Sequence, residues 1–244
     1  MSESTKIEWA HHTWSPWRGC TKVSEGCANC YAEKLSRRNP AVLGEWGPGR
    51  PRVRNANWNT PLRWNRAAEK AGERRRVFPS LCDWLDDEAP IEWLADFIWL
   101  ISATPSLDWL LLTKRPEKWS ERLRRVIAGN GDRTREISWF NGVAPHNVRL
   151  GVSAENQRRA DERIPKLLEI PAAVRFVSYE PALGPVDFSA WIGDSEDRPT
   201  NWGTIDWIIF GGESGPGARP CNVEWARDTV RQCREAGVAC FIKQ

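Results

Sequence analysis

Three cysteines near the amino terminus have the residue type and spacing that most clearly define a chemistry. Cys20, Cys27 and Cys30 form a C-x6-C-x2-C pattern that precedes the first long stretch of helical composition. Cysteine thiolates hold iron–sulfur clusters, and a cubane cluster held by three of them keeps one iron without a protein ligand. Because such an iron can bind a small molecule, the pattern predicts a reactive iron–sulfur site.

Zinc is the main alternative for these cysteines. A structural zinc site needs four ligands in a closed tetrahedron, commonly supplied as two paired arms. His11 and His12 are near enough in sequence to supply a fourth ligand, but the remaining cysteines have no C-x2-C partner. These are Cys82, Cys221, Cys233 and Cys240. We favour iron–sulfur over zinc, and we disfavour a disulfide framework because the cysteines are odd in number, at seven.

The length of 244 residues is typical of one α/β barrel, so we expect a single domain over residues 1–244. The first residues lack a basic start followed by an apolar run, and no stretch approaches the ~20 apolar residues of a membrane span. We therefore expect a cytoplasmic protein with reduced thiols and no membrane partner. The net charge of +3 permits nucleic-acid binding without requiring it.

The amino-terminal third predicts loops more than regular elements. We expect a cysteine loop over residues 14–31, a helix from Tyr31 to Asn39 that Pro40 stops, and a long ordered loop or lid over residues 40–66. The chain contains 16 tryptophans, many in polar settings. We favour packing of these indoles beneath loops over a stacking surface for bases.

Beyond this region, short apolar runs that end in polar residues alternate with amphipathic stretches. The runs cover 76–83, 109–116, 148–156, 174–181, 207–215 and 239–243, and helices are predicted at 91–103, 119–127, 164–168 and 223–236. Continuous apolar strands that alternate with helices are typical of a parallel sheet covered by helices. The sequence therefore predicts the α/β class.

Polar residues follow these runs at the points where the strands end. They are Thr113, Lys114, Arg115, Ser153, Glu155, Ser178, Glu180, Glu213 and Ser214. Any one of them could be a helix cap or a loop ion pair. Because α/β proteins build their sites at the carboxyl ends of parallel strands, we expect these residues to converge on one mouth.

Gly211 and Gly212 open the string Gly211-Gly212-Glu213-Ser214-Gly215 on the strand before the last. Paired glycines let a backbone approach a ligand closely, and exposed amides can hold a carboxylate or phosphate. The string does not match the dinucleotide or nucleotide triphosphate patterns. We therefore predict a ligand-contact loop without a nucleotide motif.

Six short motifs, taken in order, resemble those of a phage-associated, three-cysteine family of unknown function. They are Trp14-Ser15-Pro16-Trp17-Arg18-Gly19-Cys20, Gly26-Cys27-Ala28-Asn29-Cys30-Tyr31-Ala32, Leu112-Thr113-Lys114-Arg115-Pro116, Gly151-Val152-Ser153-Ala154-Glu155-Asn156, Ser178-Tyr179-Glu180-Pro181 and Gly211-Gly212-Glu213-Ser214-Gly215. That family is similar to the radical SAM superfamily, with the spore photoproduct lyases as distant relatives. The resemblance extends from about Trp14 to Gln244.

The resemblance implies a partial (β/α) barrel of mostly parallel strands with a 4Fe-4S cluster on Cys20, Cys27 and Cys30. S-adenosylmethionine would bind the open iron through its methionine amine and carboxylate. An electron from an external donor would cleave the sulfonium, and the resulting 5′-deoxyadenosyl radical would take hydrogen from a substrate. A nucleic acid or nucleotide is the substrate class that the analogy implies, and the catalytic residues are not assigned.

The strand-end residues are then expected to contact S-adenosylmethionine or the substrate. The predicted contact residues are Thr113, Lys114, Ser153, Glu155, Glu180, Gly211, Gly212, Glu213 and Ser214. The superfamily usually has C-x3-C-x2-C, so the wider spacing between Cys20 and Cys27 must still let both reach one cluster. In the superfamily a Gly-Gly-Glu string usually follows the second strand and holds the methionine amine. Here the string is on a late strand, so that role is not carried over to Glu213.

Two other classes of protein stay open at this point. A zinc-stabilised nucleic-acid-binding module without catalysis is suggested by His11, His12 and the many Arg and Trp residues. A zinc hydrolase with a strand-end carboxylate as general base is weaker, because three cysteine ligands make a poor Lewis acid site. The H-E-x-x-H pattern of zinc proteases is also absent from the sequence.

Overall fold

Strands and helices alternate along the chain. The computed structural model describes residues 5–129, 131–193 and 204–243, so residues 1–4, 130, 194–203 and 244 of the predicted domain lie outside the described residues. In chain order the strands are β1 (His12–Thr13), β2 (Trp17–Arg18), β3 (Val53–Arg54), β4 (Arg75–Phe78), β5 (Leu107–Thr113), β6 (Val148–Ser153), β7 (Val174–Tyr179), β8 (Trp207–Phe210) and β9 (Ala239–Ile242). The helices are α1 (Tyr31–Ser36), α2 (Pro40–Leu43), α3 (Asn59–Ala71), α4 (Ile91–Ser102), α5 (Trp119–Ile127), α6 (Thr134–Phe140), α7 (Gln157–Leu168) and α8 (Val223–Glu235).

Seven of these strands form one parallel sheet whose spatial order follows the chain. The order is β1-β4-β5-β6-β7-β8-β9, and each neighbouring pair is parallel. The sheet curls into a half barrel, which confirms the predicted α/β partial barrel. Strands β2 and β3 form a separate antiparallel ribbon, and β2 is part of the cysteine loop. Since parallel strands end at the same edge, this order brings the predicted strand-end residues to one rim.

Both faces of the sheet are buried, because helices cover one face and the curl encloses the other. On the helix-covered face, Trp109 packs in the main core together with helix residues such as Ile164. On the opposite face, Leu110 and Phe176 belong to a smaller cluster that includes Trp9. Successive side chains of a strand point to opposite faces of the sheet. Because both faces are buried here, every residue of a strand has to be mainly apolar, which explains the continuous apolar runs.

The tryptophans serve mainly as core residues, which confirms the preference for packing. The buried ones are Trp9, Trp14, Trp17, Trp64, Trp84, Trp109, Trp119, Trp139 and Trp191. Several pack against one another, and the rings of Trp84 and Trp139 are stacked with an interplanar angle of 3°. Large aromatic surfaces therefore fill the space between the helices and the sheet.

The long loop predicted over residues 40–66 contains three regular elements, so this prediction was wrong in part. The helix predicted from Tyr31 to Asn39 ends earlier, at Ser36, and Pro40 begins α2 because proline suits the first helical position. Strand β3 also lies in the segment, and α3 begins at Asn59. The buried residues of α3 are Pro61, Trp64, Asn65 and Ala68, and their spacing is helical. Two of them, Pro61 and Asn65, are residue types with low helix propensity, which hid the helix in the sequence.

Candidate functional site

A cavity with two adjoining parts lies at the carboxyl ends of the strands. The first part, here called the thiol lobe, has a volume of about 160 Å³ and is lined by Cys20, Cys27, Cys30 and Cys82. The second part, here called the strand-end lobe, has a volume of about 350 Å³. The two lobes share several lining residues and are therefore neighbours. The shared residues are Cys27, Cys30, Tyr31, Phe78, Leu112, Lys114 and Ser153.

The structure brings most of the predicted contact residues to this cavity. Thr113 lines the thiol lobe, and Lys114 and Ser153 line both lobes. The strand-end lobe is lined by Glu180, Gly212, Glu213 and Ser214. Two predicted contact residues, Glu155 and Gly211, line neither lobe.

Glu155 lies behind the cavity wall and fixes the middle of the cysteine loop. Its side chain is completely buried, and one carboxylate oxygen accepts a hydrogen bond from Ser24 Oγ at 2.7 Å. The other oxygen accepts from Arg163 Nη1 at 2.8 Å. Gly26 lies against the same carboxylate, and a Cβ built there would be 2.2 Å from Glu155 Oε1. Only glycine therefore lets the loop approach Glu155 this closely.

Glu25 ties the same loop to the start of α7. Asn156 Nδ2 donates to Glu25 at 2.7 Å, while Asn156 Oδ1 caps the helix by accepting from the Arg159 amide at 3.1 Å. The Arg159 guanidinium makes two further hydrogen bonds to Glu25, at 2.7 and 3.1 Å. Hydrogen bonding from Arg159 lowers the pKa of Glu25 to about 2. The carboxylate is therefore ionised at neutral pH and holds the loop.

Two arginines hold the beginning of the loop around Cys20. Arg115 donates to the Thr21 carbonyl at 2.6 Å and to Cys20 Sγ at 3.5 Å, and Asp83 accepts from its guanidinium at 3.1 Å. Arg52 donates to Thr21 Oγ1 at 2.8 Å. Burial raises the pKa of the Cys20 thiol to about 12. The residues between Cys20 and Cys27 thus supply the anchors of the loop, which gives the wide spacing a structural reason.

Glu213 joins the last part of the cysteine loop to the glycine-rich loop after β8. Its carboxylate accepts from Asn29 Nδ2 at 2.7 Å and from the Arg219 guanidinium at 2.6 and 3.0 Å. Asn29 also donates to the Gly217 carbonyl at 3.1 Å. Arg219 lowers the pKa of Glu213 to about 2 through these hydrogen bonds. Glu213 therefore lies at the cavity with its carboxylate already engaged by protein groups.

Lysines and a carboxylate give the strand-end lobe charges of both signs. Lys114 Nζ donates to Ser153 Oγ at 2.8 Å and lies 3.9 Å from Glu155 Oε1. Lys243 follows β9 and forms an ion pair with Glu180 at 2.5 Å. Ammonium, carboxylate and hydroxyl groups together suit a ligand that itself carries both charges, such as an amino-acid group.

The cysteines of the thiol lobe suit an iron–sulfur cluster better than a single zinc ion. In the described ranges, no group of three or more His, Cys, Asp or Glu side chains is arranged to hold a single metal ion. The three thiolates of a cubane cluster each bind a different iron and so surround the cluster. Cys20, Cys27 and Cys30 fit that requirement because all three line one lobe.

The two histidines considered as zinc ligands are engaged away from the thiol lobe. His11 Nδ1 accepts from the Arg76 amide at 2.8 Å. The His12 ring is buried and stacks on Trp64 with centroids 4.2 Å apart. Neither histidine lines the lobe, so they do not complete a tetrahedral site with the cysteines.

Cys82 is the main cavity residue that sequence reasoning missed. It stands alone in the sequence, and only the pairing of β4 between β1 and β5 brings the segment after β4 to the thiol lobe. Burial raises the pKa of the Cys82 thiol well above its ordinary value. Ser24, Asn29 and Lys243 were missed as well, because isolated polar residues in loops carry no spacing signal.

Comparison with solved structures supports the partial-barrel fold of the sheet. Two mutants of spore photoproduct lyase share the fold, at TM-scores of 0.52 and 0.53 and sequence identities of 11% and 13%. Each alignment covers 98% of this chain and 78% of the lyase chain. At such identities the likeness is one of fold alone.

The chain belongs to a family described as "Protein of unknown function (DUF5131)", which matches residues 4–244. A family of unknown function was predicted, whereas its phage association stays a prediction. No curated protein matches the chain significantly. Among the described residues, no helix is long and apolar enough to cross a membrane.

Proposed function

We propose that the protein is a radical SAM enzyme in which Cys20, Cys27 and Cys30 hold a 4Fe-4S cluster in the thiol lobe. S-adenosylmethionine would occupy the adjoining strand-end lobe. When bound, the cluster would supply the electron for reductive cleavage of S-adenosylmethionine to a 5′-deoxyadenosyl radical. The observation that carries the proposal is the position of three loop cysteines and the polar strand ends on two lobes of one cavity.

The strand-end lobe offers groups complementary to the methionine part of S-adenosylmethionine. Lys114 suits its carboxylate, and Glu180 suits its ammonium group once the ion pair with Lys243 is exchanged. Ser153 accepts a hydrogen bond from Lys114 and so orients it. Gly212 and Ser214 line the same lobe and are proposed as further contacts.

The boundary between the lobes combines apolar and positioning groups. Phe78 and Leu112 line both lobes and would exclude water from the place where an electron passes to the ligand. Thr113 donates to Asp83 at 2.6 Å and thereby fixes the end of β5.

Glu155 and Glu213 are proposed to position the cysteine loop, because their carboxylates are engaged by Arg163 and Arg219 respectively. A nucleic acid or nucleotide stays our prediction for the substrate.

Anaerobic reconstitution with iron and sulfide, followed by EPR of the reduced protein, tests the proposal. We expect about four irons per chain and an EPR signal that changes when S-adenosylmethionine is added. Cys27→Ala should lose the signal and the cleavage of S-adenosylmethionine. Cys221→Ala is the matched control, since Cys221 is exposed and lines neither lobe. Bound zinc without a cluster signal, or full cleavage activity in Cys27→Ala, would overturn the proposal.

A further inference from the structure

The positive charge of the chain is concentrated in the segment that covers the thiol lobe. Residues 18–43 contain five basic side chains and two carboxylates, which gives this segment the net charge of +3 that the whole chain carries. The rest of the chain therefore has equal numbers of basic and acidic residues. The five basic residues are Arg18, Lys22, Lys34, Arg37 and Arg38.

The two carboxylates of the segment leave its outer surface positive. Glu25 is neutralised by its ion pair with Arg159 at the start of α7, as described above. Glu33 is shared by two cations, Lys22 and Arg37, each at 2.8 Å, and its side chain is only 13% exposed. Arg38 is exposed and forms no ion pair with a carboxylate of the described residues.

Apolar side chains are exposed between these cations. Tyr31 is 52% exposed and Leu35 is 41% exposed, and both belong to α1. Together with Lys34 they lie one helical turn apart and therefore on one side of the helix. Val23 in the cysteine loop is exposed as well. Exposed apolar residues with a polar rim are typical of an interaction site.

This surface is also the outer cover of the thiol lobe. We call it the α1 face, and it consists of Lys22, Val23, Tyr31, Lys34, Leu35, Arg37 and Arg38. Lys22 and Tyr31 line the lobe and are at the same time exposed to solvent. The face therefore adjoins the thiol lobe through Lys22 and Tyr31, and an electron from a partner bound there has a short path to the lobe.

We propose that the α1 face binds an acidic protein that donates single electrons. The inference rests on the proposed function, because it names the partner and the entry point for the electron that the cluster needs. A negatively charged donor complements the net charge of +3 in residues 18–43. Such complementarity typically raises association rates by about 10- to 1,000-fold at low salt.

Binding of an acidic flavodoxin to the protein, before and after reconstitution, provides the first test. We expect Lys34→Glu/Arg38→Glu to weaken the affinity at low ionic strength by about tenfold or more. Arg66→Glu/Lys70→Glu on α3 is the control with the same change of charge at two exposed residues, whereas Lys34 is half-buried and also donates to the Pro216 carbonyl at 3.2 Å. Equal affinities of the two double variants, measured by calorimetry, would overturn the proposal.

Reduction of the cluster by two donors of opposite charge provides the second test. Reduced flavodoxin should reduce Lys34→Glu/Arg38→Glu more slowly than the parent, whereas the methyl viologen radical, a small cation, should not. A similar loss with both donors would contradict docking at the α1 face. Failure of the parent to form a reducible cluster, with flavodoxin binding intact, would instead overturn the proposed function and leave the interaction surface standing.

A nucleic acid is the other polyanion that this surface could attract, and the same variants separate the two. Salt-sensitive binding of a single-stranded oligonucleotide that is lost in Lys34→Glu/Arg38→Glu, with flavodoxin affinity unchanged, would assign the α1 face to nucleic acid. That outcome would overturn the donor proposal. Loss of flavodoxin affinity without any oligonucleotide binding by the parent would support it.

Discussion

Gly26 positions the cysteine loop through the side chain that it lacks. A methyl group there would meet Glu155, which cannot move aside because Ser24 and Arg163 hold both of its oxygens. We expect Gly26→Ala to lower the iron content of the reconstituted protein several-fold while the far-ultraviolet circular dichroism stays unchanged. Gly184→Ala is the control, since its Cβ would make an ordinary contact of 3.4 Å. As much iron in Gly26→Ala as in the parent would contradict this role.

Glu155 and Arg163 form a buried ion pair whose loss has a large expected effect. Glu155→Gln would leave the Arg163 charge buried without its carboxylate, which typically costs about 3–5 kcal/mol in the free energy of unfolding. Urea denaturation monitored by tryptophan fluorescence measures this change. Glu169→Gln should cost less than about 1 kcal/mol, because the ion pair of Glu169 with Lys166 is half exposed. Similar costs in the two variants would refute the buried role.

The predicted residues that the structure brings to the rim of the cavity are those whose position follows from a strand. Lys114, Ser153 and Glu180 come directly after apolar runs, so the parallel sheet brings them to one rim without knowledge of any contact. Hydrogen bonds such as those of Ser24 to Glu155 and of Asn29 to Glu213 join distant parts of the chain. A single sequence contains no signal for such pairs, so the positioning roles emerge only from the structure.

At the scale of elements, the loop after β8 is attached to the cysteine loop through an ionised carboxylate. Arg219 lowers the pKa of Glu213 from its ordinary value of 4.5 to about 2. A lowered pKa in the folded protein means that the ionised group stabilises the fold above about pH 4.5. This contribution declines as the pH falls towards 2, where the folded protein also takes up the proton.

The variant Glu213→Gln should therefore be less stable than the parent in a pH-dependent way. We expect a difference in the free energy of unfolding on the order of 2 kcal/mol at pH 7, falling below half of that by pH 3. Urea denaturation of both proteins across this range measures it. Glu224→Gln, in an exposed ion pair on α8, provides the control. A difference that stays constant with pH would show that the ionised form of the Glu213 carboxylate does not stabilise the fold.

Periodicity predicted the long elements better than the short or interrupted ones. The helices α4, α5, α7 and α8 lie where amphipathic stretches predict them, because each buries apolar side chains in the main core. Strand β1 has only two residues, which is too few for any pattern. It joins the sheet through its pairing with β4, and this tertiary contact cannot be read from local sequence.

At the scale of the whole molecule, the seven cysteines differ in what surrounds them, and none forms a disulfide in the part of the chain described. Loading with the cluster should protect Cys20, Cys27 and Cys30 from alkylation by iodoacetamide, because their sulfurs become ligands. Cys221 is exposed and should be alkylated equally with and without iron. Anaerobic alkylation followed by peptide mass spectrometry measures this. Equal labelling of the three loop cysteines in both states would contradict cluster ligation.

The long distance in sequence between the cysteine loop and its anchors has a consequence for the newly synthesised chain. Ser24 precedes Glu155 by 131 residues, and Asn29 precedes Glu213 by 184 residues. Ribosomes add about 5–20 residues per second, so Glu213, the last anchor, is translated roughly 10–40 s after the loop. During translation the three thiols are unshielded and open to any oxidant nearby. Delivery of iron and sulfur to the proposed cluster is therefore expected to follow completion of the polypeptide, when the loop has its final shape.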